Sequence, residues 1–216
     1  MASRSKALIY KRVLLFSLLP FSFFSLMFLL LQQPVLLDLS DNNQTEVASL
    51  KSSWENGEVI AVIHHLESCE GKDVQCWNTE NENGITKRSL GMGYALAEDL
   101  QILGLHKADI YYSPQQRSEE TSRVLFSYEG VADESLAQCD VDNQLLNAAM
   151  ENKRTERNLV FVVYGDCISE FQKNLGASRD TPTYASTLFA INRSSGSKPR
   201  LLGFVRAEDW ESTFGW

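Results

Sequence analysis

A chain of 216 residues, 44% of them hydrophobic and 22% charged, is long enough for one compact domain once a terminal segment is set aside. Its formal net charge is −8 at pH 7 and becomes more negative when the basic amino terminus is excluded. Proteins that bind DNA or RNA present basic surfaces to the phosphate backbone, so this acidity excludes nucleic acid as a partner of the domain.

The amino terminus consists of a basic leader, residues 1–12, and a nearly unbroken apolar run, residues 13–31. A helix over this run, at about 1.5 Å per residue, nearly crosses the roughly 30 Å hydrocarbon core of a bilayer. Because lysine and arginine precede the run, the positive-inside rule keeps the leader in the cytoplasm. We therefore predict a single-pass transmembrane signal anchor, which in a bacterium places the protein in the inner membrane with its domain in the periplasm. A cleaved signal peptide is the alternative, although no small-x-small site follows the run.

Residues 32–57 are polar and acidic and are predicted to form a linker, with a short helix over 46–53, ahead of a domain over residues 58–216. In that domain strand-like and helix-like segments alternate, which predicts an α/β fold built on a layered sheet. The predicted strands are residues 59–63, 108–113 and 159–164, the predicted helices are 87–103, 118–126 and 166–175, and a predicted hairpin joins 184–192 to 200–206.

Polar side chains are concentrated where three of the predicted strands end, in residues 64–69, 113–121 and 164–167. In open α/β sheets ligands bind in the crevice beyond the carboxyl ends of the parallel strands. The sequence therefore predicts that these three segments form one site.

All four cysteines, Cys69, Cys76, Cys139 and Cys167, follow the predicted span. In an extracytoplasmic compartment disulfides persist, so two bridges are expected, and four cysteines allow three pairings. The short separation of Cys69 and Cys76 favours a local loop, which leaves Cys139 with Cys167. Zinc binding is the alternative, but the chain has no C-x-x-C pair, and no metal is predicted.

Two motifs carry a family resemblance. The first predicted strand is followed by His64-His65-Leu66-Glu67, and residues 113–121 read S-P-Q-Q-R-S-E-E-T. A strand followed by x-His-x-Glu, with S-P-x-x-R-S/T-x-x-T after a later strand, resembles the histidine phosphatase superfamily, whose hallmark is Arg-His-Gly/Ala-Glu. The resemblance covers residues 58–204. It implies a three-layer α/β/α sandwich of the phosphoglycerate mutase type with a central, mostly parallel sheet, and no cofactor.

Within the superfamily, the order of the four cysteines is similar to that of the bacterial envelope branch typified by the lipopolysaccharide core heptose phosphatase. In that branch a cysteine follows the motif glutamate by two residues and another precedes a Gly-Ile-Thr, as Cys69 and Cys76 do here. The branch is also anchored at its amino terminus.

The resemblance assigns catalytic roles to two residues. His65 takes the position of the nucleophile, which attacks phosphorus to give a phosphohistidine that water then hydrolyses. Asp142 takes the position of the acid that protonates the leaving oxygen, with Glu67 as a weaker alternative. Arg117 matches a phosphate-binding arginine, whose planar guanidinium suits phosphate oxygens.

Two phosphate-binding positions depart from the family pattern. The arginine before the nucleophile is His64 here, the second family histidine is Tyr164, and Asp166 adds a negative charge nearby. Since each lost donor costs on the order of a hundredfold in rate, we expect weak or lost catalysis and a binding or sensing role. The alternative is an active phosphomonoesterase acting on an envelope sugar phosphate such as lipopolysaccharide core heptose phosphate.

The expected ligand is a phosphorylated glycan or another anionic molecule, and a sensing module would also need a membrane protein partner. A third interpretation is a eukaryotic type II membrane protein of the secretory pathway. It draws on two N-glycosylation triplets, which begin at Asn43 and Asn192.

Overall fold

Six strands form one mixed sheet in the computed structural model, which describes residues 36–41, 43–71, 74–79, 82–127, 129–141, 143–179, 182–193 and 196–215. The strand order across the sheet is β3-β2-β4-β1-β5-β6. The strands are β1 (Val59–His64), β2 (Ala108–Tyr112), β3 (Val131–Ala132), β4 (Asn158–Val163), β5 (Thr187–Ile191) and β6 (Arg200–Val205).

The two central strands, β1 and β4, pair in parallel and are buried along their whole length. Continuous apolar runs of this kind are typical of strands covered on both faces. β2 also runs parallel to β4, whereas β5 is antiparallel to both β1 and β6. The predicted hairpin is thus confirmed, and the carboxyl ends of β1, β2 and β4 meet at one edge of the sheet.

Helices cover both faces of the sheet. They are α1 (Gln44–Glu55), α2 (Leu90–Leu103), α3 (Gln116–Phe126), α4 (Gln144–Asn152), α5 (Gly165–Asn174) and α6 (Trp210–Phe214). One apolar core joins β1 to α1, α2, α3 and α6, and a second core on the opposite face joins it to α4 and α5. These layers confirm the predicted α/β sandwich.

The segment ahead of β1 differs from the predicted acidic linker of residues 32–57. Leu39 donates its backbone N–H to the Phe204 carbonyl at 2.9 Å, and Phe204 donates to the Leu37 carbonyl at 2.9 Å. This backbone therefore extends the edge of β6, and a Cβ on Gly203 would lie 2.5 Å from the Leu37 carbonyl oxygen. The segment was predicted to be a linker because most of its residues are polar, although its few apolar residues pack on the domain.

The α1 helix belongs to the core for the same reason. It is longer than the predicted helix and buries Val47, Leu50 and Trp54 against the sheet. Trp54 also donates its indole N–H to the Gly104 carbonyl at 2.7 Å. The described part of the predicted linker is therefore an integral part of the fold.

Three elements were not predicted: the two-residue strand β3, the helix α4 and the short helix α6. β3 and α6 are too short for their apolar residues to mark a period. α4 does bury Leu145, Ala148 and Ala149 at helical spacing, and that spacing was the available signal. Asn143, which precedes α4, takes a left-handed conformation with φ of 62°. The sequence alone did not predict that a helix begins after it.

The predicted membrane span, residues 13–31, lies outside the described residues, as does the leader. Within the residues that are described, no helix combines the length and the apolar character needed to cross a bilayer.

Candidate active site

Two histidines lie at the carboxyl end of β1, where the strand leaves the sheet. His64 donates its backbone N–H to the Ser186 carbonyl at 2.9 Å, and His65 donates to the Val163 carbonyl at 3.0 Å. Both residues are more than nine-tenths buried. The neighbouring strands thus hold the two imidazole rings in fixed positions at the sheet edge.

The imidazole of His65 has the arrangement that a nucleophile requires. Its Nδ1 lies 2.6 Å from the carbonyl oxygen of Leu66. A carbonyl oxygen only accepts hydrogen bonds, so Nδ1 carries the proton in the neutral ring and Nε2 carries the lone pair. A neutral imidazole held in this way can present Nε2 to an electrophile.

The imidazole of His64 does not act as a permanent cation. Burial lowers its pKa below the ordinary value of 6.5, and this effect outweighs the nearby carbonyls of Thr183 and Pro182, which favour the protonated form. Its Nδ1 lies 3.0 Å from the Thr183 carbonyl oxygen and 3.2 Å from that of Pro182. His64 is therefore neutral at pH 7 and does not replace the charge of an arginine.

Close packing fixes the ring of His64 against the start of α5. A Cβ placed on Gly165 would lie 3.3 Å from both Cε1 and Nε2 of this ring. Only a residue without a side chain fits the contact comfortably, which gives a physical reason for the glycine at this position.

Arg117 faces the two histidines from the first turn of α3. Its Nη1 donates to Glu70 Oε2 at 2.7 Å, and its Cζ lies 6.0 Å from the ring centroid of Tyr164. The Nε nitrogen is buried and has no hydrogen-bond partner among the described residues. The guanidinium thus lies in the site with part of its donor capacity unused.

Thr121 explains the spacing of the second motif. Its hydroxyl accepts the backbone N–H of Leu66 at 2.9 Å and donates to the carbonyl oxygen of Arg117 at 2.7 Å. One side chain therefore joins the first turn of α3 to the loop that follows His65. This places Arg117 and His65 in register.

Tyr164 lines the site but directs its hydroxyl elsewhere. The hydroxyl donates a hydrogen bond to the carboxylate of Asp140. Burial and the hydrogen bond to Asp140 raise the pKa of Tyr164 well above its ordinary value, so the phenol stays protonated. Its proton is engaged with Asp140, and phosphate binding by Tyr164 stays a prediction.

The resemblance offers two candidates for the acid that protonates the leaving oxygen, Asp142 and Glu67. Asp142 lies outside the described residues. Glu67 accepts the Nε–H of Arg88 at 2.6 Å and the hydroxyl of Thr86 at 3.0 Å. Its carboxylate is engaged by Arg88 and Thr86, and its role as the alternative acid stays a prediction.

Residues 64–70, 164–166 and 182–184 contribute to one open pocket together with Arg117, with a cavity volume of about 610 Å³. The three predicted strand ends do meet at this pocket. Tyr184 packs on both histidines, with its ring centroid 5.1 Å from that of His64 and 5.6 Å from that of His65.

Sequence reasoning missed Glu70 and Tyr184. Glu70 follows Cys69 in a loop, and Tyr184 precedes β5 in a segment that the family motifs do not include. The short separation of Glu70 from His65 along the chain could have pointed to Glu70, whereas no sequence signal pointed to Tyr184.

Both predicted disulfides form, Cys69–Cys76 and Cys139–Cys167. The first closes the loop beside Glu70, and the second ties the segment that carries Asp140 to the first turn of α5. Zinc binding by these cysteines is therefore wrong, because a disulfide sulfur offers no thiolate to a metal. No group of three or more potential metal ligands occurs in the described parts of the chain.

Solved structures show which fold this is, while neither a family model nor a curated protein matches the sequence. The protein histidine phosphatase SixA, solved with tungstate, is 10% identical with a TM-score of 0.53, and the match covers 70% of this chain and 98% of that chain. The product of open reading frame Rv3214 of Mycobacterium tuberculosis is 13% identical with a TM-score of 0.52, over 69% of this chain and 98% of that chain. A phosphoserine phosphatase of Entamoeba histolytica, solved with 3-phosphoglyceric acid, is 18% identical with a TM-score of 0.50, over 68% and 95%. The described domain has the histidine phosphatase fold.

Proposed function

We propose that this chain is a membrane-anchored protein whose periplasmic pocket binds phosphate esters with weak or no turnover. The observation that carries the proposal is the state of Arg117. It is the one permanent cation among the described residues that line the pocket, and it is already paired with Glu70.

Phosphoryl transfer depends on donors that surround three phosphate oxygens as charge develops on them. Here His64 is neutral and the hydroxyl of Tyr164 is engaged with Asp140. If each missing donor costs about a hundredfold in rate, the two together lower turnover by roughly ten-thousandfold. Binding of a phosphate ester is less demanding, because Arg117 and the first backbone N–H groups of α5 still attract an anion.

Location in the periplasm rests on the apolar run of residues 13–31 and the basic leader ahead of it. The two disulfides support the same location, since they persist in oxidising compartments and are rare in the cytosol.

A second candidate is an active phosphomonoesterase, and the hydrogen bond from His65 Nδ1 to the Leu66 carbonyl favours it. In that reaction the Nε2 lone pair attacks phosphorus, and the ester P–O bond breaks as the leaving oxygen takes a proton from an acid. Water then attacks the phosphohistidine, which releases phosphate and restores the imidazole. An envelope sugar phosphate such as lipopolysaccharide core heptose phosphate is the substrate class that the resemblance suggests.

The test compares turnover and binding in the full-length chain purified in mild detergent. Phosphate release from a panel of phosphomonoesters should be no faster than in a His65→Ala variant. Calorimetric titration with the same esters should show binding that weakens by about tenfold to a hundredfold in Arg117→Ala, the typical loss for a hydrogen bond to a charged group. Arg123→Ala, on the same helix and paired with Glu119, is the matched control and should bind normally.

A further arm restores the family residues. The double variant His64→Arg, Tyr164→His should gain turnover, by about a hundredfold for each restored donor. Turnover in the unmodified chain that His65→Ala abolishes would instead establish the phosphomonoesterase.

A further inference from the structure

The pocket carries more negative than positive charge among its described residues. Arg117 is the cation, whereas Glu70 and Asp166 both line the cavity as carboxylates. The side chain of Glu70 is 59% exposed and that of Arg117 is 22% exposed, so neither charge is hidden from a ligand. The amino terminus of α5 adds roughly half a positive charge, which leaves the carboxylates in excess.

This balance is poorly suited to a simple phosphate ester. A phosphomonoester brings up to two negative charges into a site in which Glu70 already occupies Arg117. Like charges a few ångströms apart disfavour binding unless a cation accompanies them. Asp166 is a favourable residue for the first turn of α5, but that role leaves its charge in the pocket.

An ammonium group would find suitable partners in the same cavity. Asp166 offers a carboxylate directly beside Gly165, against which the ring of His64 packs. The ring of Tyr184, which is 37% exposed, lies over both histidines and offers an aromatic surface. Cations are attracted both to carboxylates and to aromatic faces.

We infer that the pocket selects phosphomonoesters whose alcohol part carries an ammonium group, such as an amino sugar phosphate or an aminoalkyl phosphate. The phosphate lies toward Arg117 and His65, and the ammonium lies toward Asp166 and Tyr184. This inference rests on the proposed function, because it names the class of phosphate ester that the pocket binds.

Matched pairs of ligands test the inference on the full-length chain in detergent at neutral pH. O-phosphoethanolamine is compared with 2-hydroxyethyl phosphate, and glucosamine 6-phosphate with glucose 6-phosphate, so that each pair differs by an ammonium in place of a hydroxyl. We expect the ammonium member to bind about twofold to fivefold more tightly, the contribution of one partly exposed ion pair. A preference in only one pair would identify an amino sugar or an aminoalkyl group as the better alcohol part.

Two variants separate the roles of the carboxylates. Asp166→Asn should reduce the preference by weakening the ammonium member and strengthening the hydroxyl member. Asp166→Ser, another residue suited to a helix start, should do the same, and thermal melting checks that both variants fold. Glu70→Gln should strengthen both members because it leaves Arg117 to the phosphate. Glu211→Gln, on α6 and outside the pocket, is the control.

The outcomes distinguish this inference from the proposed function. If all four esters bind but the hydroxyl members bind equally well or better, the inference is overturned and the phosphate-binding function stands. A preference that persists unchanged in both Asp166 variants also overturns it. If none of the four esters binds, the proposed function itself fails, and the inference fails with it.

Discussion

Burial determines the charge of His64, which lies at the position where the family resemblance places an arginine. An imidazole in the position of the family arginine could supply a positive charge only when it is protonated. In this fold the side chain is 7% exposed and its pKa is lowered chiefly by desolvation, with Arg117 adding to the effect and Asp166 opposing it. His64 therefore does not carry the positive charge that an arginine would carry there, and its neutral ring packs against Gly165.

The same burial predicts a pH-dependent stability. The unfolded chain binds a proton at His64 near the ordinary pKa of 6.5, whereas the folded chain binds it only at lower pH. Because the unfolded state then holds more protons, the free energy of unfolding falls as the pH drops through 6.5 toward the folded pKa. Urea unfolding between about pH 7.5 and pH 5.5 should show a free energy of unfolding that falls with pH in the unmodified chain and falls less in His64→Asn.

The exposed Thr45, which has no titratable side chain, provides the control, since Thr45→Ala should retain the pH dependence of the unmodified chain. Equal slopes of unfolding free energy against pH in the unmodified chain and His64→Asn would contradict the prediction.

The surroundings of Asn192 test whether its triplet can be glycosylated, as the secretory interpretation requires. Its side chain is 7% exposed, and its amide nitrogen donates to the carbonyl oxygen of Ser197 at 3.1 Å. A glycan on this nitrogen would remove the hydrogen bond and would have to emerge from a buried position. The triplet at Asn192 is therefore a poor acceptor in the folded domain.

Among the helices, α1 places the beginning of the domain earlier in the chain than the sequence predicted. The sequence before β1 is polar enough to resemble a linker, yet every third or fourth residue of the helix is apolar and faces the sheet. Leu50 is fully buried there, within the core that joins α1 to β1 and β5. Packing therefore includes residues that composition assigned to a connection.

This packing predicts a large effect of truncating Leu50. Leu50→Ala should lower the free energy of unfolding by about 2–5 kcal/mol, because it removes transfer energy and leaves a cavity. Thr45→Ala, at an exposed position of the same helix, should change it by less than about 0.5 kcal/mol. Urea denaturation followed by circular dichroism measures both, and similar small effects for the two variants would support the linker interpretation instead.

The longer elements were predictable and the short ones were not. β1 and β4 are continuous apolar runs, and the helices α2, α3 and α5 each follow a strand, so their existence could be inferred with boundary errors of a few residues. β3 depends on pairing with β2 and has no strong pattern of its own. Its existence is a consequence of the sheet edge beside it.

At the scale of the whole molecule, the fold and the proposed anchor make a prediction about redox state. If residues 13–31 carry the domain out of the cytoplasm, both disulfides should form in cells, because thiols are oxidised there and kept reduced in the cytosol. Rapid alkylation of bacterial cells that produce the full-length chain should leave all four cysteines unmodified.

Deleting residues 1–31 supplies the matched comparison. The shortened chain should stay in the cytoplasm and take up four alkyl groups, which intact-mass spectrometry detects. The same degree of alkylation in both chains would argue against export by the amino terminus.

The pocket draws on residues from distant parts of the chain, and this limits what a motif can establish. The motifs identify His65 and Arg117 because their chemistry and spacing are local properties of two segments. They cannot show that Glu70 pairs with Arg117, that the hydroxyl of Tyr164 donates to Asp140, or that Tyr184 packs on the histidines. These contacts arise only when loops after different strands come together.

The α/β class, the three strand ends that form the pocket and both cysteine pairs could be inferred from the sequence alone. Each of these follows from local hydrophobic pattern, from a short motif or from short separation along the chain. The tertiary structure was needed to show that the described residues ahead of β1 belong to the domain. It was also needed to show that burial lowers the pKa of His64 and that carboxylates outnumber cations among the described residues of the pocket. Burial and charge pairing depend on which distant side chains become neighbours, and that is set by packing of the whole chain.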